Sequence, residues 1–304
     1  MNYVMYYDYD NFDDVYYCIP SVRHGATFKM FGCIVRFYQL NDPQILFWLD
    51  GNNHSKEVAK GIFEKVSKLL SYLFALPLYN KENQFIEVKW SIETNNALSR
   101  KTLKTMNLLE NKIKRFSKIT NFYNETMDLL IVALENFFKY RKEDAFVYFF
   151  KVIERIAKQY YIVYMQRHHT KAITKKNKND LRTFLKHYAL NNLQIELTED
   201  MLARKVDLFY KDIKMEFYGS VFNKISLFVK KEQININVNA ISKMVKVRNK
   251  IAHGDSVDED MLTRCLAECE YLAMQMFSVY FFRKKYTELH ITSYRYFDKF
   301  DPYR

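Results

Sequence analysis

The chain has 304 residues, 49% of them hydrophobic, 17% aromatic and 27% charged, with only 6 Gly and 4 Pro. Ordinary charge and abundant aromatics exclude a disordered chain, and the shortage of Gly and Pro argues against a sandwich or barrel, whose many tight turns need both. Lys and Arg number 47 against 35 Asp and Glu; residues 1–100 hold 10 basic and 11 acidic side chains, so the remainder carries a net +13. That asymmetry suits a C-terminal two-thirds that meets a polyanion, although a lysine excess alone also suits proteins that touch no nucleic acid.

In chain order, residues 1–98 read as a smaller α+β module with a sensing or targeting role. The acidic start MNYVMYYDYDNFDD lacks the basic and apolar regions of a signal peptide. Its tyrosines suit either a recognition face or half-buried strand positions. The β-rich runs FGCIVRFYQL and QILFWLD flank Asn41-Asp42-Pro43, which predicts a hairpin. Ser55 caps the helical stretch SKEVAKGIFEKVSKLLSYLFAL, which Pro77 closes. A strand-like QFIEVKWSIET follows, and both tryptophans, Trp48 and Trp90, lie in this module.

Residues 99–120 read as a basic, amphipathic connecting helix, and the helical pattern then continues over 121–285. Within it, NETMDLLIVALENFFKY precedes a longer helix over 144–168. There Phe146, Phe149, Phe150, Ile153, Ala157, Tyr160 and Tyr164 recur at helical spacing on one face. TKAITKKNKN reads as a solvated, basic break, with shorter helices around 180–190 and 199–230. The tail, 286–304, mixes Tyr with Lys and Arg and suits either base stacking or a packed terminal strand. No repeat is visible.

Cys18, Cys33, Cys265 and Cys269 form no C-x-x-C pair, and no His/Cys cluster has zinc-ligand spacing. No metal and no cofactor are therefore expected. Cys265 and Cys269, four apart on an apolar stripe, read as packed thiols. No apolar stretch is long enough to span a bilayer. The expected setting is a reducing cytoplasm, away from membranes.

The chemistry concentrates between residues 237 and 276. Asn237 is a plausible N-cap for a helix running to His253, with Gly254 free to take the left-handed conformation that ends it. Ser256-x-x-Glu259 reads as a capping box opening a second helix, across a tight Gly-Asp turn. That second helix buries Met261, Leu262, Cys265, Leu266, Cys269, Leu272, Ala273 and Met276.

On the first helix, Arg248 falls on a stripe with Ile241, Val245 and Ala252, read as the apolar face. A guanidinium aimed at a core or interface needs a partner. Asn249 and His253, four apart, share a neighbouring face, and the carbonyls of the helix end favour a protonated imidazole. With no metal cluster in view, a guanidinium and an imidazole suit cleavage of a phosphodiester by its own 2′-hydroxyl. The imidazole would move protons while the cation stabilises the non-bridging oxygens. On an ideal helix Arg248 and His253 lie about 140° apart. Either the helix loosens before Gly254, or two copies face each other and share a site.

These residues resemble a known family. Arg248-Asn249-Lys250-Ile251-Ala252-His253 is similar to the R-N-x-x-x-H motif of the HEPN superfamily, most of all its Apea-like and abortive-infection members. Glu154-Arg155-Ile156-Ala157-Lys158 fits the E-x-x-x-K pattern that such domains carry on an earlier helix. The resemblance covers 121–285. It implies a mainly α protein with a C-terminal HEPN-type helical bundle and a homodimer with a composite active site. It also implies a metal-independent endoribonuclease that leaves 2′,3′-cyclic phosphates, acting as a toxin or in anti-phage defence.

By the resemblance, Arg248 and His253 are the catalytic pair, Asn249 orients the site, and Glu154 and Lys158 support it, with Glu154 a candidate partner of Arg248. Lys243, Lys246 and Lys250 are the expected contacts to RNA. An antitoxin or a phage-derived trigger would be a further partner. Some HEPN toxins carry, two residues after the His, a Tyr that a partner enzyme modifies; Asp255 stands there, so the resemblance does not extend to that control.

Plainer readings stand beside these. Arg248 suits a structural salt bridge, His253 a helix C-cap, and Glu154 with Lys158 an ordinary surface pair. His24, His54, His168, His169, His187 and His290 have no partners at useful spacing. The rival functions are a catalytically inactive HEPN-like module that binds nucleotide, RNA or protein, and a purely structural helical protein.

Overall fold

A computed structural model of the chain describes residues 2–8, 26–41, 44–50, 55–78, 85–88, 100–168 and 175–289. The chain is mainly helical. It divides into two compact units, Met1–Ile153 with Lys246–Arg304, and Glu154–Val245.

In the first unit the strands β1 (Asn2–Asp8), β2 (Ala26–Met30), β3 (Cys33–Asn41), β4 (Gln44–Asp50) and β5 (Phe85–Val88) form one antiparallel sheet in the order β2-β3-β4-β1-β5. The expected hairpin is present, with Asn41 opposite Gln44. A second hairpin joins β2 to β3, with Phe31 and Gly32, the first two residues of the β-rich run FGCIVRFYQL, leaving the strand. They form its two-residue turn, with φ of 49° and 84°, a pair of left-handed residues that matches the twist of the flanking strands. The alternation of β2 and β3 buries Phe28, Met30, Cys33 and Val35. Trp90 and the early tyrosines beyond β1 lie outside the described residues.

Helix α1 (Lys56–Phe74) starts as expected, the Ser55 Oγ accepting from the Val58 N–H. It stops at Ala75, whose φ of 51° is left-handed, with Pro77 two residues on. The basic helix α2 (Arg100–Ile113) buries Thr102, Met106, Leu109 and Glu110 on one side. The Glu110 carboxylate accepts from the Phe31 N–H at 2.9 Å and pairs with Lys114 at 2.5 Å, so it anchors the β2–β3 turn. Helix α3 (Thr120–Phe138) is tied to α1 by Lys68, which reaches Glu64 at 2.5 Å and Asp128 at 2.6 Å.

Helix α4 (Lys142–His168) carries the expected face: Phe146, Phe149, Phe150, Ile153 and Ala157 are buried, and Tyr160 and Tyr164 half-buried. After Phe277 the helix widens into a π-turn, Ser278–Phe282, and a tighter 3-10 turn follows over Tyr286–Leu289. These turns bring Phe281, Phe282 and Tyr286 to Tyr72, Tyr123 and Phe277, an aromatic core with ring centroids 4.7–6.3 Å apart. Tyr286 therefore packs; residues 290–304 of the tail lie outside the described residues.

The second unit contains α5 (Lys175–Leu193), α6 (Glu199–Gly219) and α7 (Val221–Lys231). Of the basic break expected over 170–179, residues 175–179 are helical, since α5 begins at Lys175; 170–174 lie outside the described residues. The stretch 199–230 is two helices. Ser220 interrupts it with extended backbone and caps α7, accepting from the Asn223 N–H at 3.1 Å. Lys178–Asp207 at 2.8 Å and Lys186–Glu199 at 3.5 Å join α5 to α6.

Candidate functional site

Helix α8 (Val238–His253) begins after Asn237, whose Oδ1 accepts from the Asn239 N–H at 2.8 Å. It remains α-helical to His253. Its end is closed entirely by backbone: Gly254, at φ 77°, donates to the Ile251 carbonyl at 3.1 Å, and Asp255 donates to Lys250 at 2.9 Å. This pair of bonds is the Schellman arrangement. Capping therefore makes no use of the His253 ring.

The connection onward is longer than a tight Gly-Asp turn. Helix α9 (Glu259–Phe277) starts at Asp258, whose Oδ1 accepts from the Met261 N–H at 2.8 Å. The Ser256–Glu259 box is thus replaced: an ionised acceptor sits closer to the first turn and also complements the helix dipole. Lys142 then holds Glu259 at 2.8 Å and keeps its carboxyl below the ordinary range through that hydrogen bond and charge. Of the residues expected to be buried on α9, Met261 is exposed and the others are buried.

The buried side of α8 is rotated from the expected one. Ala240, Ile241, Met244 and Val247 are buried; Val245 and Arg248 are half-buried, and Ala252 is exposed. Arg248 thus sits on the flank of the helix, at the margin of the core rather than in it. Its Nη1 donates to the Asn249 Oδ1 at 3.2 Å. Asn249 and His253 are exposed, together with Lys243, Lys246 and Lys250. At 100° per residue, Asn249, His253, Lys246 and Lys250 fall within an arc of about 100°, opposite the buried side. Among the described residues, the His253 imidazole and these three lysines make no hydrogen bond or ion pair.

The structure therefore brings His253, Asn249 and the lysines onto one solvent-facing surface, with Arg248 about 140° around the helix from His253. No loosening before Gly254 closes that gap. Glu154 is half-buried and Lys158 exposed, one turn apart on α4 in the second unit. The arrangement can supply a proton acceptor or donor, a hydrogen-bonded guanidinium and a row of point charges to a phosphate.

The described cysteines are not placed for nucleophilic chemistry, and Cys18 lies outside the described residues. Cys33, Cys265 and Cys269 are buried free thiols, and burial pushes the Cys269 thiol well above its ordinary range. Among the described residues no helix is long and apolar enough to cross a membrane.

Compared with protein-family models, curated proteins and solved structures, the chain matches none.

Proposed function

We propose that the chain is a metal-independent endoribonuclease of the HEPN type, a cytoplasmic effector of the toxin or anti-phage kind. The observation that carries this reading is the exposed His253 ring, held at a helix end whose capping is already complete, beside Asn249 and three unpaired lysines. A histidine free of structural duty in a cationic surface is suited to proton transfer on a phosphodiester.

In this reading His253 takes the 2′-OH proton and the 2′-oxygen attacks phosphorus. The P–O5′ bond breaks and the 5′-oxygen takes a proton from water or from the imidazolium, giving a 2′,3′-cyclic phosphate and a 5′-hydroxyl. Arg248, oriented by Asn249, stabilises charge on the non-bridging oxygens. Lys243, Lys246 and Lys250 hold the strand, and RNA is the substrate because the attack needs the 2′-hydroxyl.

The regular helix favours the composite arrangement: Arg248 of one copy serves the site of His253 in the other. The half-buried Val245 and exposed Ala252 beside Arg248 are what a second α8 would cover. Glu154 and Lys158 remain supporting residues of this reading. Digestion of RNA in EDTA by wild type, Arg248→Ala and His253→Ala tests it. Cyclic-phosphate ends that vanish in both variants support the enzyme. Salt-sensitive RNA binding with no cleavage in wild type leaves the inactive binding module instead.

A further inference from the structure

A second group of cations gathers where the end of α2 meets the turns that follow α9. The sequence supplies Lys112, Lys114, Arg115 and Lys118 on one segment and Arg283, Lys284 and Lys285 on the other. Tertiary packing joins them. The Lys112 ammonium donates to the Phe282 carbonyl, and the Phe116 ring stacks on Phe282 with centroids 6.3 Å apart. Arg283 adopts the left-handed conformation, φ 54°, and its N–H closes the π-turn on the Val279 carbonyl at 3.1 Å. The turn thus ends by projecting Arg283 and Lys284 into solvent beside Lys112.

Little negative charge answers these cations. Glu110 is committed to Lys114 and the Phe31 N–H, and Glu288 accepts from the Lys285 N–H at 3.3 Å. Among the described residues Arg115, Lys118, Arg283 and Lys284, all exposed, form no ion pair. Burial, together with the nearby charges of Lys284 and Arg283, holds the Lys112 ammonium below the ordinary lysine range. The cations repel one another, and a bound polyanion would relieve that repulsion.

We propose that Arg115, Lys118, Arg283 and Lys284, assembled around Lys112, form a docking surface for the phosphate backbone of single-stranded RNA. This rests on the reading of the chain as RNA-directed. The surface favours a strand over a membrane because no large apolar side chain within 112–118 or 280–289 is among the exposed ones. An interfacial surface would need such groups to enter the acyl boundary. Successive phosphates can be bound by spaced cations without base contacts, giving affinity without sequence preference.

The test is fluorescence-anisotropy binding of a 2′-O-methyl RNA of about 20 nucleotides, which cannot be cleaved through its own 2′-oxygen. It compares the wild-type chain, the triple variant Arg115→Gln/Arg283→Gln/Lys284→Gln, and a charge-matched control, Lys56→Gln/Lys60→Gln/Lys101→Gln. The patch variant should bind about tenfold more weakly, with a salt slope smaller by about 2, from ~0.7 per lost single-strand contact. The control should stay within about twofold of wild type.

Equal losses in both variants would reduce the effect to net charge and overturn the proposal. So would unchanged RNA binding, or patch-dependent binding to phosphatidylserine vesicles in place of RNA. Parallel digestion of ordinary RNA separates the two claims. Cleavage that survives with patch-independent affinity removes only the docking surface, whereas patch-dependent affinity in a wild type that never cleaves removes only the ribonuclease.

Discussion

Arg248 and Asn249 are neighbours in sequence, yet their side chains meet: the guanidinium Nη1 donates to the amide oxygen at 3.2 Å. Adjacent positions on a helix diverge by about 100°, so the contact requires Arg248 to turn from the half-buried flank toward the solvent face. The bond ties one guanidinium nitrogen to the side chain of the exposed Asn249.

Arg248→Ala and His253→Ala should each lower RNA cleavage at least about 100-fold, the range of a lost proton-transfer or charge-stabilising group. The His253 side chain is exposed, so chemical denaturation should show the His253→Ala stability within about 1 kcal/mol of wild type. Asn249→Ala should cost less, about tenfold, because it orients the guanidinium without supplying the charge. If a composite site forms, mixing the Arg248→Ala and His253→Ala chains should restore part of the activity, read as cyclic-phosphate product.

Gly254→Ala should destabilise the chain by about 1–2 kcal/mol, from the strain of a Cβ at positive φ. Its φ is 77° and the space around an added Cβ is open, so backbone strain is the whole effect. Gly254→Asn should cost less, since Asn tolerates the left-handed region. Urea unfolding midpoints of the two variants check the order.

Lys68→Met should cost about 1–2 kcal/mol at neutral pH, discounted because Glu64 and Asp128 remain about two-fifths exposed. Burial opposes the charged form of Lys68, but hydrogen bonds to Asp128 and Glu64 prevail and raise its pKa above the ordinary value. The stabilisation is therefore whole below the unfolded value of about 10.4 and lost as pH rises through the higher folded one. Unfolding free energies of wild type and variant should converge as pH climbs above about 10.

Tyr286→Phe should cost about 1–2 kcal/mol, because the Leu73 carbonyl loses its donor while that of Tyr72 keeps only the long bond from the Ala75 N–H at 3.4 Å. The Tyr286 hydroxyl lies 3.1 Å from the Tyr72 carbonyl and 2.8 Å from that of Leu73, at the end of α1. Hydrogen exchange of the last turn of α1 should accelerate in the variant, with the far end of that helix unchanged.

Much of the helical frame was legible. The faces of α4 and α9, the Ser55 cap and the Gly254 stop are written in spacing and in residues whose conformational preferences act within one turn. Less was legible at the candidate site. Its residues could be named from the motif, but the assigned apolar face was displaced, because Ile241 is buried while Ala252 on the same stripe is exposed.

The sequence by itself determined the mainly helical character, the extent of α8 and its stop at Gly254, since periodicity and capping are short-range codes. Tertiary structure alone decided that Glu110 would bind a turn 79 residues away and that Lys112 would meet Phe282 at a separation of 170. It also decided which flank of α8 would carry Arg248. A polar group takes whichever partner the folded chain brings within about 3 Å, and no local pattern records who that neighbour will be.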